Sequence, residues 1–199
     1  LANGANIDTQ DFNGNTALLN VLHAKKFNKE KFDFLINNKC DINKQNTMGE
    51  FPISVCIIRQ LDDEAKFLLN RGCKINDKQS EYEPIANALK INSQYWFEIL
   101  LEKGATASNE KYPVLNSYMN STFFNFDLLK KFKEINTVVG APIQTALRKK
   151  YNEIALYLWD ISNNQTRYKI AKETDSFGMI LISVAIVFNC EQLVNNILD

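Results

Sequence analysis

The chain has 199 residues, 45% of them hydrophobic, with 23 basic and 23 acidic side chains and a formal net charge of zero. No basic excess is available to neutralise a phosphate backbone, which argues against general nucleic-acid binding. The longest apolar run, Met179 to Phe188, is too short to span a bilayer and is interrupted by Ser183, and the N-terminus carries no charged-then-apolar signal segment, so no membrane insertion is expected.

Four cysteines, Cys40, Cys56, Cys73 and Cys190, stand singly with no CxxC pair, and His23 is the one histidine. Neither a zinc site nor a disulfide framework finds its spacing here. No cofactor or metal is expected, and a reducing, intracellular, cytoplasmic setting fits best. The sequons at Asn120 and Asn164 are no more frequent than chance allows in so Asn-rich a chain.

In chain order the prolines act as a ruler. Pro52, Pro84, Pro113 and Pro142 follow one another at spacings of 32, 29 and 29, each with an aliphatic residue behind it: Ile53, Ile85, Val114 and Ile143. Ala17 before Leu18 and Leu181 before Ile182 extend the frame to six units with outer spacings of 35 and 39. Four residues after each anchor stands a small or slim side chain, namely Val21, Cys56, Ala88, Ser117, Ala146 and Ala185, as close helix approach requires. A second apolar cluster follows about twelve to seventeen residues after each anchor, so each unit reads as two short helices of period 3.6. The first unit reaches its cluster late, at Phe34-Leu35-Ile36, and the segment Lys25 to Lys29 lengthens its inter-helix turn.

Proline suits the first residue of the first helix, where its missing N–H has no partner to lose, and Thr16 serves as a cap in the first unit. Gly72 and Gly104 read as left-handed helix stops. Asp11-Phe12-Asn13-Gly14, Asn46-Thr47-Met48-Gly49 and Asp175-Ser176-Phe177-Gly178 read as tight turns with glycine at the strained position.

These residues resemble the ankyrin repeat, with a period near 33 and a Thr-Pro-Leu-His signature in this register. Gly14-Asn15-Thr16-Ala17-Leu18 looks like the opening of such a repeat, and Leu1-Ala2-Asn3-Gly4-Ala5-Asn6-Ile7-Asp8 like the tail of a preceding one. The resemblance covers essentially the whole chain. It implies an all-α fold: a solenoid of about six stacked helix-turn-helix repeats with short hairpin-like turns, forming one domain over residues 1–199. Residues 1–8 are then the tail of a preceding repeat, and repeats start near 9, 44, 77, 106, 135 and 174. Units four and five are shortened, and Glu81, Glu110 and Val139 replace the turn glycine, so irregular hairpins are expected there. Extra residues at 160–174 form a loop or an added helical turn. Because a solenoid needs polar end caps, the apolar Leu198 beside the last residue suggests a piece of a longer protein.

The resemblance also implies a protein–protein interaction module that binds a folded domain or a peptide on its concave face of turn tips and first helices, as a monomer. The positions left free there are Phe12, Asn13, Asn15, His23, Met48, Glu50, Arg59, Ser80, Tyr82, Lys90, Asn109, Lys111, Met119, Arg148, Lys149 and Phe177. A turn tip has no folding reason to carry Phe, Met or Tyr, and aromatic anchors among charges compose a binding hot spot. No catalytic residue is assigned: His23 has no adjoining Cys or Ser in the repeat register, and no GxGxxG or GxxxxGK loop is present. The lone cysteines are read as core, Phe123-Phe124-Asn125-Phe126 as core repacking, and the basic runs at 130–133 and 148–150 as solvated face. An alternative makes the chain the substrate- or host-target-recruiting domain of a larger enzyme or translocated bacterial effector, working in a host cytosol, with the catalytic part elsewhere.

Overall fold

The computed structural model describes residues 4–76, 83–106, 114–132, 141–175 and 177–198. The hairpin positions Glu81, Glu110 and Val139, the anchor Pro113 and the repeat starts near 77 and 135 lie outside the described residues. Among the described residues the structure is helical, and one isolated bridge, Thr174 to Ile180, is the sole β pairing. The chain divides into two compact units, residues 1–100 and 101–199.

The first unit holds α1 (Ala17–His23), α2 (Lys29–Asn37), α3 (Pro52–Ile58), α4 (Asp62–Asn70), α5 (Pro84–Lys90) and α6 (Gln94–Glu102), the last turn of α6 crossing the division. Within it α1 packs on α2 and α3, and α3 packs on α4 and α5. The second unit holds α7 (Val114–Met119), α8 (Phe126–Leu129), α9 (Ala141–Arg148), α10 (Asn152–Asp160), α11 (Asn164–Lys172), α12 (Leu181–Val187) and α13 (Glu191–Leu198). There α9 packs on α7, α10 and α12, and α12 packs on α11 and α13.

The starts follow from the residues read as anchors. Pro52 and Pro84 are the first residues of α3 and α5, where a missing N–H costs no helical bond. Thr16 caps α1 by accepting from the Leu19 N–H at 3.3 Å, and Asn28 caps α2 by accepting from Lys31 at 2.9 Å. The first helices bury the aliphatic residue behind the anchor: Ile53, Ile85 and Ile143 are fully buried, each stabilising the fold by about 2 kcal/mol. Cys56, Ala88, Ala146 and Ala185 are also fully buried, and a larger side chain there would push neighbouring helices apart.

The ends of the first helices share a device that uses no glycine. Gln60, Asn92, Lys150 and Asn189 sit at φ 56°, 53°, 61° and 56° in the three-residue turns that lead to the second helices. In each turn that residue's N–H reaches back three residues, as from Gln60 to the Ile57 carbonyl at 3.0 Å, and the next N–H reaches five, as from Leu61 to Cys56 at 2.9 Å. This paired closure satisfies the orphan carbonyls of the helix end. Second helices end in the same way at Lys39 and Gly72, with φ 59° and 74°, and Gly104, at φ 92°, makes the three-residue bond to Leu101 at 3.0 Å. The two glycines are the stops expected from sequence.

The first unit departs as expected, with a longer link between α1 and α2 and no such closure. Instead Arg59, from the next helix pair, donates to the carbonyls of His23 and Ala24, both at 2.8 Å, and so caps the end of α1.

The fourth unit corrects one position. Ser117 is exposed, and Tyr118 is the fully buried residue of that turn. The Tyr118 hydroxyl donates to the Asn125 carbonyl and accepts from the Asn125 N–H, both at 2.9 Å, and its ring meets Phe123, Phe124 and Phe132. The slim fourth residue is thus left at the surface, while Tyr118 holds the place where Leu22, Ile57 and Leu147 are buried in other units. The extra segment at 160–174 is resolved in favour of helix. Asn163 caps α11 by accepting from Thr166 at 2.8 Å, while Arg167 donates to the Trp159 and Asp160 carbonyls, both at 3.0 Å, at the end of α10.

A side chain held at φ near +57° strains against its own Cβ by about 1–2 kcal/mol, and glycine removes that strain at some cost in chain entropy. Gln60→Gly is therefore expected to raise the unfolding free energy by about 1 kcal/mol and Gln60→Val to lower it, both read from urea midpoints at constant slope.

Candidate functional site

The three tight turns obey one template. Its first residue, Asp11, Asn46 or Asp175, bonds through its backbone N–H to the carbonyl four residues on, at 3.0, 3.3 and 2.9 Å. The glycine N–H three residues on returns to the first carbonyl at 2.8, 3.0 and 3.0 Å. The side-chain Oδ1 of that first residue then accepts two further N–H groups, two and four residues on: Asn13 and Asn15, Met48 and Glu50, Phe177 and Met179, all between 2.8 and 3.0 Å. Gly14, Gly49 and Gly178 hold φ of 73°, 82° and 74°, the left-handed region that a side chain resists.

In the first unit the tips also lock to each other. Thr47 donates to the Asn13 carbonyl from its N–H at 3.0 Å and from its hydroxyl at 2.7 Å, and the Asn46 amide reaches Asn15 Oδ1 at 3.0 Å. A Cβ on Gly14 would stand 2.6 Å from the Thr47 nitrogen, so glycine is required there twice over. Two further cross-links run alongside, from the Asp41 N–H to Asp8 Oδ1 at 2.8 Å and from the Lys74 N–H to Asn43 Oδ1 at 2.7 Å.

What the locked tips hold outward is apolar. Phe12 is 107% exposed and Met48 60%, and in the second unit Phe177 is 74% exposed. Asn13, Lys90 and Lys149 are also exposed.

The other candidates are engaged inside the protein. Glu50 accepts from the Asn46 amide at 2.6 Å and lies 3.2 Å from His23 Nε2, so this one histidine links α1 to the second tip. Asn15 joins the tip network, and Arg59 caps α1 as described above. Arg148 forms an ion pair with Asp175 and lays its guanidinium 4.5 Å from the centre of the Phe177 ring. Met119 is corrected: at 1% exposure it belongs to the core and offers nothing to a partner, because it shares one face of α7 with buried Leu115, four residues before it. Ser80, Tyr82, Asn109 and Lys111 lie outside the described residues.

Electrostatics tune the tips. The Asn20 amide, then the Asn15 and Asn13 N–H groups, hold the Asp11 carboxyl below the usual carboxylate range. Desolvation pushes Asp175 upward, but the Met179 N–H, Arg148 and the Phe177 N–H outweigh it, and the net shift is also downward. Burial raises the Cys40 and Cys73 thiols to about 11 and about 12, and Cys56 higher still, so these buried side chains stay protonated and poorly nucleophilic. Among the described residues no group of three His, Cys, Asp or Glu side chains could hold a metal ion, and no helix is long and apolar enough to cross a membrane.

The crystal structure of the human ASB11 ankyrin repeat domain superimposes on 98% of this chain and 89% of its own, with a TM-score of 0.57 and 19% sequence identity. This is the ankyrin-repeat fold. No family model matches the sequence and no curated protein matches it, so the ankyrin likeness rests on backbone arrangement. In an ankyrin fold the tips and first helices lie in successive units, and here the first-unit tips are joined by direct bonds. Sequence reasoning found the turns and their glycines but missed the side-chain bonds between them. The available signal was Asp or Asn recurring three residues before each turn glycine.

A carboxyl with a lowered folded pKa stabilises fully above its unfolded value, about 3.9, and loses that contribution as pH falls through the folded value. Acid unfolding followed by circular dichroism is expected to set in below about pH 4. The double variant Asp11→Asn and Asp175→Asn is expected to be less stable at pH 7 and to lose melting temperature less steeply through that acid range.

Proposed function

We propose that this chain is an interaction module that binds a folded protein or peptide on the face of its turn tips and first helices. The observation that carries the reading is the pair Phe12 and Met48, two large apolar side chains on turns locked to each other and exposed to solvent. An apolar group on a flexible loop loses entropy when it docks; on a closed tip that cost has already been met, which raises affinity. Phe177, steadied by Arg148, serves the same role in the second unit.

Asn13, Lys90 and Lys149 supply polar contacts around these anchors. Asn15, His23, Glu50, Arg59 and Arg148 act chiefly by holding the anchors in place. Ser80, Tyr82, Asn109 and Lys111 are candidates by their sequence register alone. The balanced charge favours a protein over a nucleic acid as partner, and four buried free thiols suit a reducing, intracellular compartment. No catalytic role is assigned, since His23 faces a carboxylate rather than a nucleophile.

Affinity capture from a cell extract, followed by mass spectrometry, compares wild type with the double variant Phe12→Ser and Met48→Ser. Proteins held by wild type are expected to be lost by the variant at least tenfold, the size of a hot-spot deletion of about 2 kcal/mol or more, while thermal unfolding barely moves because neither side chain is buried. Undiminished capture by the variant sinks this placement of the site.

A further inference from the structure

Two asparagines in the chain precede glycine, Asn3 and Asn13. Asn3 lies outside the described residues, whereas Asn13 stands exposed at the first turn tip. An asparagine followed by glycine carries a chemistry of its own. The backbone nitrogen of the glycine can attack the asparagine side-chain Cγ, and glycine, having no side chain, obstructs that approach least. At this tip a bond would form between the Gly14 nitrogen and Asn13 Cγ while the amide Cγ–N bond breaks. The Gly14 nitrogen gives up its proton, and the amide group leaves as ammonia. Water then opens the five-membered imide at either carbonyl, giving aspartate or isoaspartate. The net change is amide plus water to carboxylic acid plus ammonia, with no oxidant or reductant.

In the folded protein this attack meets a peptide pinned at both of its polar atoms. The Gly14 N–H donates to the Asp11 carbonyl at 2.8 Å. The Asn13 carbonyl accepts from the Thr47 N–H at 3.0 Å and from the Thr47 hydroxyl at 2.7 Å. One peptide earlier, Asp11 Oδ1 holds the Asn13 N–H at 2.9 Å. Bringing the Gly14 nitrogen onto Cγ requires rotation about the Asn13 Cα–C bond, which breaks the bonds on both sides of the peptide. The proton that the nitrogen must lose is the one it donates to Asp11. There is little room for the rotation either, since a Cβ on Gly14 would already stand 2.6 Å from the Thr47 nitrogen.

The other two tips carry Met48 and Phe177 before their glycines and have no amide to lose. Asn13 alone among the three combines the reactive pair with a lock to a neighbouring tip.

We propose that Asn13 is a site of spontaneous deamidation held latent by the bonds between the first two tips, so that it converts only in molecules whose first tip has opened. Local opening of that kind needs no global unfolding. Isoaspartate at this position makes the opening permanent. The main chain gains one atom between Phe12 and Gly14, and the carbonyl that took two bonds from Thr47 becomes a carboxylate outside the main chain. The proposal does not depend on what the tips bind, and its failure leaves that reading intact.

The whole chain is held at mildly alkaline pH as folded wild type, as wild type unfolded in guanidinium chloride, and as folded Thr47→Pro. Proline has neither the N–H nor the hydroxyl that hold the Asn13 carbonyl, and it suits the second position of a tight turn, so the second tip keeps its own bonds. Peptide mapping by mass spectrometry follows Asn13 separately from Asn3, and labelling by an isoaspartyl methyltransferase detects the isoaspartate. Asn13 is expected to convert at least about tenfold more slowly in folded wild type than in guanidinium, because only the open fraction reacts, with Thr47→Pro between the two. Asp11→Ala, which frees the Asn13 N–H, is a second variant expected to speed conversion, and circular dichroism confirms that each variant is folded. Conversion as fast in folded wild type as in guanidinium, no conversion in guanidinium, or folded variants that react no faster than wild type overturns the proposal.

Discussion

The structure depends on reversing the chain within three residues at the end of a short helix. A seven-residue helix such as α3 or α12 spans about 10 Å and does not persist alone in water. It persists because its partner helix returns at once and covers it. Gln60, Asn92, Lys150 and Asn189 make that return possible by accepting a left-handed backbone, and the bonds that close each turn recover part of the strain. Where the reversal is longer, between α1 and α2, an arginine from the next pair supplies the missing closure.

Much of the architecture was legible in the sequence because its causes are local. A proline at a helix start, a glycine at a helix stop and a small residue one turn further on each have a backbone or packing reason that needs no distant partner. The left-handed turns in the first helices were not legible, since Gln, Asn and Lys carry no mark of that conformation and adopt it under tertiary constraint. The exposure of Ser117 beside the buried ring of Tyr118 was hidden for a similar reason. The ring is stabilised by Asn125 and by Phe123, Phe124 and Phe132, whose positions follow from the fold rather than from spacing.

The candidate face was half legible. Phe12, Met48 and Phe177 could be named because large apolar residues at turn tips lack a folding purpose. Arg59, Glu50 and Arg148 are polar residues at plausible surface positions, and only the coordinates show that their charges are turned inward onto carbonyls, a histidine and an aspartate. A charged side chain in a sequence does not disclose whether its partner is solvent or a neighbouring repeat.

The closed tips separate the residues that fold the turn from those it leaves exposed. In the first two tips the first, fourth and fifth residues carry the closing bonds and the left-handed glycine, whereas Phe12, Asn13 and Met48 contribute side chains that the turn does not use, and Thr47 turns its hydroxyl to the neighbouring tip. Phe12, Asn13 and Met48 therefore stand where side-chain identity can change while the bonds that close the turn stay in place. A new side chain at those positions alters the exposed surface without touching the bonds that hold the turn.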